Sequence, residues 1–164
     1  MTQSCHSLRV VTHSPDETIC LGRRIGAGLR PGDTLALTGD LGAGKTTLTR
    51  GIAEGLGVPG DVFSPTFTII HEYRGAISLY HIDLYRVSGE SDLADLGLEE
   101  YFARGGVCVV EWSEGLGTLT PPKRLEIVLE MVGDEDRRIE LIPYGDRFER
   151  LVEELKRAYS GDRD

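Results

Sequence analysis

Gly39-Asp40-Leu41-Gly42-Ala43-Gly44-Lys45-Thr46 is the stretch of this sequence whose residue types and spacing can do chemistry most directly. It satisfies Gly-x-x-x-x-Gly-Lys-Thr, the P-loop pattern, in which each part has a physical task. Glycines allow backbone conformations that a side chain forbids, so consecutive N–H groups can turn onto phosphate oxygens. A helix opening at Lys45 would add its positive dipole end and unpaired amides. Lys45 would neutralise charge on the β and γ phosphates. The Thr46 hydroxyl is a hard oxygen ligand for Mg²⁺, which bridges the same two phosphates. A chance glycine-rich turn can match four fixed positions, but here the pattern lies between a predicted strand and a predicted helix, the context it requires. The expectation is a site for ATP with Mg²⁺.

Such a site also needs an acid at the end of another core strand, to hold the metal's water shell or orient attacking water. Two acids compete. Asp83 ends Leu79-Tyr80-His81-Ile82-Asp83, and Glu111 ends Val107-Cys108-Val109-Val110-Glu111. The second run is the more apolar and makes the better central strand, so Glu111 is expected nearest Mg²⁺. Asp83 is then the second acid, or the one that positions water. Trp112 follows Glu111 directly and is either a core residue or a neighbour of the nucleotide or of a partner. His81 shares a strand face with Asp83 and is read as a core histidine ahead of a general base. Thr66, after Ser64-Pro65, is a candidate switch hydroxyl only by analogy with other P-loop proteins.

The elements that must position these groups are legible in outline. Ser14-Pro15-Asp16-Glu17 reads as a capping box with proline at the first helical position. Leu21, Ile25 and Leu29 follow at helical spacing, until Pro31-Gly32-Asp33 ends the element. Thr34–Thr38 reads as a buried strand, and Lys45–Leu56 as a helix with Gly57 just past its end. Thr68–Tyr73 and Ser78–Asp83 are predicted strands joined across Arg74-Gly75-Ala76. Asp92–Phe102 is predicted helical, weakened by Gly97, and Val107–Val110 is a central strand. Leu125, Ile127, Leu129 and Met131 alternate with polar residues and pair through Gly133–Asp136 with Ile139 and Leu141. Phe148, Leu151, Val152, Leu155 and Tyr159 mark a last helix. The pattern predicts a single three-layer α/β/α domain over residues 1–164, its mainly parallel sheet carrying antiparallel additions, with a disordered tail at 160–164.

Charge and composition narrow the function. A net charge of −9 over 164 residues repels phosphate backbones at long range, so autonomous binding of nucleic acid is not expected. No apolar run reaches membrane-spanning length and no secretory signal is evident. Cys5, Cys20 and Cys108 are scattered without a Cys-x-x-Cys pair, which argues against a disulfide or zinc framework and fits a reducing cytoplasm.

Taken together, Gly39–Thr46 with Thr47, Ser64-Pro65-Thr66-Phe67, Tyr80-His81-Ile82-Asp83-Leu84-Tyr85-Arg86 and Val110-Glu111-Trp112 resemble the TsaE (YjeE-type) family. The resemblance runs from about Ser14 to Ile142. It implies a small bacterial ATPase that binds ATP with Mg²⁺ and hydrolyses it slowly. It also implies TsaD and TsaB as partners, which transfer the threonylcarbamoyl group to tRNA; joined to the net charge of −9, this gives the expectation that tRNA is met only through them. By position it implies Thr46 and Glu111 as the metal-associated pair, and Asp83 and Trp112 as further residues for activity. The segment His13–Pro15 aligns with the family's adenine side. Ser113 stands where many relatives carry proline.

Two other classes share the loop. A small-molecule kinase would need an acceptor pocket and usually an arginine-bearing lid. Arg104–Arg124 carries no arginine cluster of that kind. A nucleotide-gated binding module with negligible turnover would differ only in rate.

Overall fold

Thr34–Thr38 and Val107–Glu111 have almost no polar side chains to solvate before their last residues. The computed structural model, which describes residues 6–60, 62 and 69–161, places them side by side at the centre of a seven-stranded sheet. In chain order the strands are β1 (Leu8–Thr12), β2 (Thr34–Thr38), β3 (Ile70–Tyr73), β4 (Leu79–Asp83), β5 (Val107–Glu111), β6 (Arg124–Met131) and β7 (Arg137–Tyr144). The helices are α1 (Pro15–Ala27), α2 (Lys45–Leu56), α3 (Gly89–Asp95), α4 (Leu98–Ala103) and α5 (Asp146–Gly161), with a 3₁₀ segment at Ser113–Leu119. The spatial order is β1-β7-β6-β2-β5-β4-β3. β6, β2, β5 and β4 are parallel, while β1, β7 and β3 are added antiparallel. The expected α/β architecture is therefore present, with a parallel centre and antiparallel edges.

Strand alternation sorts the core into two layers. Leu35, Leu37, Val107, Val109, Leu125 and Ile127 point to one face, where Leu21, Ile25, Leu48, Ile52, Leu151 and Val152 of α1, α2 and α5 bury them. Val110 and Ile82 point to the other face, under Leu93, Leu98 and Leu116. That second layer covers the β4–β5 side. Over β6 and β7 the same face is open, and Val128 and Tyr144 are exposed there.

α1 and α2 touch backbone to backbone. A Cβ at Gly22 would lie 2.5 Å from the Leu48 carbonyl oxygen, and at Gly26 2.2 Å from that of Ile52. From the other side, Gly51 and Gly55 press on the carbonyls of Ile19 and Arg23, each at 2.2 Å. Two Gly-x-x-x-Gly pairs thus mesh, and α1 fixes the helix that opens at Lys45.

Several local expectations are corrected. β1 precedes the capped helix and pairs with β7, an element the sequence reading lacked. The Ser14 hydroxyl accepts from the Glu17 N–H at 3.2 Å, but the Glu17 carboxylate accepts from the His13 N–H rather than from that of Ser14. α1 stops at Ala27, two residues before Leu29, which is buried outside the helix. Arg147 holds that end, donating to the Gly28 carbonyl at 2.6 Å and to the buried Asp33 at 2.9 Å. The single helix expected over Asp92–Phe102 is two, because Gly97 takes φ 65°, which an α-helix cannot contain. α5 runs on through Ser160 to Gly161, where a disordered tail was expected. Ser64-Pro65-Thr66-Phe67 and Thr68 lie outside the described residues, so the Thr66 reading is not addressed.

Candidate functional site

The loop Gly39–Thr46 joins β2 to α2. Gly42 (φ 83°) and Gly44 (φ 100°) occupy the left-handed region, and a Cβ at Gly39 would lie 2.6 Å from the Leu129 carbonyl oxygen. Asp40, Leu41 and Gly42 are exposed, Ala43 and Lys45 are buried, and Thr46 and Thr47 are half-buried in the first turn of α2. Gly44 offers no side-chain cap and that turn holds no acid, so the leading amides of α2 carry no competing internal anion.

Lys45 lies across the loop. Its ammonium donates to the Gly39 carbonyl, and to that of Asp40 at 3.0 Å. It stands 4.1 Å from the centre of the Trp112 ring, a cation–π contact. Burial lowers its pKa, an effect opposed by the charges of Glu111, Glu114, Asp83 and Asp40.

The two strand-end acids are neighbours, because β4 and β5 pair in parallel with Asp83 opposite Glu111. They are not equivalent. Glu111 is 3% exposed, and the Thr46 hydroxyl lies 3.3 Å from each of its oxygens. Asp83 is half-buried and accepts from the Tyr85 N–H at 2.9 Å. Burial raises the Asp83 pKa and the charge of Glu111 adds to that, against the Tyr85 hydrogen bond. The structure thus brings Lys45, Thr46, Asp83, Glu111 and Trp112 into one cluster.

Trp112 has φ 57°, the only positive φ at a non-glycine among the described residues. Holding a bulky side chain there costs about 1–3 kcal/mol, and the bend turns the chain from β5 into the 3₁₀ segment. The indole meets both the Lys45 ammonium and the Tyr85 ring, whose centre is 4.9 Å from its own. Ser113 opens the 3₁₀ segment and is buried. Leu116 anchors this segment in the core.

His13 and Pro15 lie one step further out. Pro15 is the first residue of α1, and His13 pairs through Nδ1 with Asp136 at 2.9 Å. Asp136 ends the β6–β7 turn, and Arg137, the first residue of β7, donates to the Gly42 carbonyl at 3.2 Å. The same guanidinium also takes the carbonyls of Gly133, Asp134 and Asp136. This turn therefore joins the His13 segment to the loop. Sequence reasoning missed Arg137 and Asp136, since their partners are 95 and 123 residues away and no local spacing signals the link.

His81 is the core histidine that the sequence reading favoured over a general base: it is fully buried, and its Nε2 meets the Glu111 carboxylate.

The donor set fits a magnesium nucleotide. Thr46 and Glu111 offer hard oxygens, and Lys45 and the uncapped amides of α2 suit phosphate. Among the described residues no three His, Cys, Asp or Glu stand together as a metal-binding group, so a cation here would draw the rest of its shell from phosphate oxygens and water. Mg²⁺ is typically held in that way.

The parallel centre, the strand–loop–helix and the strand-end acids define a P-loop α/β protein. The family model for "Threonylcarbamoyl adenosine biosynthesis protein TsaE" matches residues 12–139. The chain is 51% identical over 147 residues to the tRNA threonylcarbamoyladenosine biosynthesis protein TsaE of Bacillus subtilis, covering 89% of this chain and 92% of that one. Its counterpart in Treponema pallidum is 38% identical over 132 residues, covering 80% and 98%. A crystal structure of YdiB from Bacillus subtilis superposes with a TM-score of 0.81 at 45% identity, covering 93% of this chain and 95% of that one. This chain belongs to the TsaE family.

Proposed function

We propose that the chain binds ATP with Mg²⁺ at Gly39–Thr46 and hydrolyses it slowly in support of threonylcarbamoyladenosine formation on tRNA. The observation that carries the chemistry is the Thr46 hydroxyl, 3.3 Å from both oxygens of a buried Glu111 beside the loop. Relatives named for this tRNA modification supply the purpose. TsaD and TsaB are the proposed partners, with transfer to tRNA left to them. The setting proposed is the cytoplasm, and among the described residues no helix is long and apolar enough to cross a membrane.

When bound, Mg²⁺ would withdraw charge from the phosphate oxygens it touches. The rest of the work belongs to side chains. Lys45 exchanges its hydrogen bonds to the Gly39 and Asp40 carbonyls for the phosphates, and Trp112 keeps the ammonium aimed along the loop. Glu111 orients the Thr46 hydroxyl as a ligand. Asp83 uses one oxygen on the Tyr85 N–H and keeps the other for water. Its raised pKa makes it a stronger base than an ordinary aspartate. His13, Pro15 and the Asp136–Arg137 turn flank the loop and are the proposed base-side wall, and Asp40, Leu41, Ala43 and Thr47 complete the cradle.

Phosphate release and tRNA modification reconstituted with purified TsaD and TsaB test this reading. Lys45→Ala should lose both nucleotide binding and modification. Glu111→Ala should lose most phosphate release, by about 10²-fold or more, while retaining part of nucleotide binding. Unchanged turnover in Glu111→Ala would remove Glu111 from the site. Transfer of phosphate to a metabolite would favour a kinase instead.

A further inference from the structure

We infer that His81 is the positioning residue of this site: its imidazole fixes the Glu111 carboxylate against Thr46 and thereby sets how strongly Mg²⁺ reinforces nucleotide binding. The inference rests on the reading of Thr46 and Glu111 as the cation's protein ligands.

His81 lies on β4, in register with Val109 of β5 and His71 of β3, and is 0% exposed. Burying an imidazole costs free energy that an aliphatic side chain would not, unless its nitrogens are bonded. Only one of them is. Nε2 meets Glu111 Oε2, while Nδ1 has no partner among the described residues. A carboxylate offers acceptors, so Nε2 is the donor. Among the described residues the ring's one polar contact is therefore with this carboxylate.

The geometry of Glu111 shows what that contact does. A glutamate at a strand end has three side-chain torsions, and the Thr46 hydroxyl alone, 3.3 Å from both oxygens, is a long and shared restraint. His81 takes Oε2 from the buried side. Oε1 keeps only the Thr46 contact among the described residues and is the oxygen left for the cation or its water. Holding a ligand by a buried partner behind it is how outer groups tune metal sites, and losing one costs roughly 10–100-fold in metal affinity or activity. His81 acts through Glu111 and never touches the nucleotide.

Calorimetric titration of a non-hydrolysable ATP analogue, with Mg²⁺ and with EDTA, provides the test, with thermal melts checking the fold. His81→Gln places an amide donor near the position of Nε2, whereas the isosterically shorter His81→Asn places it near Nδ1, out of reach of Glu111. In His81→Asn the gain in affinity on adding Mg²⁺ should shrink by about 10-fold or more, with affinity in EDTA unchanged. His81→Gln should recover most of that gain. Equal behaviour of the two variants would overturn the inference, as would a parallel loss of affinity with and without Mg²⁺. Absence of any Mg²⁺ effect in the unmodified protein would instead sink the reading of the cation site, and this inference with it.

Discussion

A single imidazole reports on the wall between the N-terminal segment and the loop. His13 is largely exposed, and its pKa is raised, first by the hydrogen bond to Asp136 and then by that residue's charge. The folded value exceeds the unfolded 6.5, so the pair's contribution is complete below 6.5 and fades as pH rises through the folded value. NMR titration of the His13 ring should give a midpoint above 6.5, and Asp136→Asn should bring it down. A midpoint unmoved by that substitution would detach His13 from the β6–β7 turn. Cys108 illustrates the opposite regime. Burial pushes its thiol up to about 12, so it stays protonated and unreactive, in keeping with a structural reading of the cysteine.

At the scale of elements, the meshed glycines of α1 and α2 place the start of α2 against the sheet. Gly51→Ala would drive a methyl into the Ile19 carbonyl, 2.2 Å away, and neither backbone can yield without moving its helix. The expected loss is about 1–3 kcal/mol or more, read as a lowered denaturant midpoint. Gly57→Ala is the contrasting control, since it meets no close atom and is strained only by φ 78°. A loss at Gly51 no larger than at Gly57 would refute the backbone contact. This contact was not legible in the sequence, although both Gly-x-x-x-Gly spacings are there, because glycine in a helix reads locally as weakness. What was legible had local causes. Ser14 and Pro15 cap a helix wherever they meet an amphipathic run, and Val107–Val110 is buried in any sheet. Gly97 was visible as a weakness, but whether it bends or ends a helix depends on the packing of Leu93 and Leu98. The candidate site divides in the same way. The loop and both acids could be found from type and position, whereas the Arg137 and Asp136 links depend on β7 lying beside β6.

For the molecule as a whole, the charge of −9 bears on how a protein of this family meets tRNA. Several cations on the described surface are already engaged with acids. Arg9 faces Glu140, Arg23 faces Glu54 and Arg138 faces Glu130. Surface pairs of this kind add little to stability, but each cancels a charge that could have met a phosphate. RNA affinity comes largely from releasing counterions when cations neutralise phosphates, and a net acidic field works against the approach itself. The isolated chain should therefore retain no tRNA in a filter-binding assay at about 150 mM salt, and screening that repulsion with more salt should create no affinity. With TsaD and TsaB present, tRNA should be retained and this chain should co-purify. Salt-sensitive binding of tRNA by the isolated protein would sink the indirect reading.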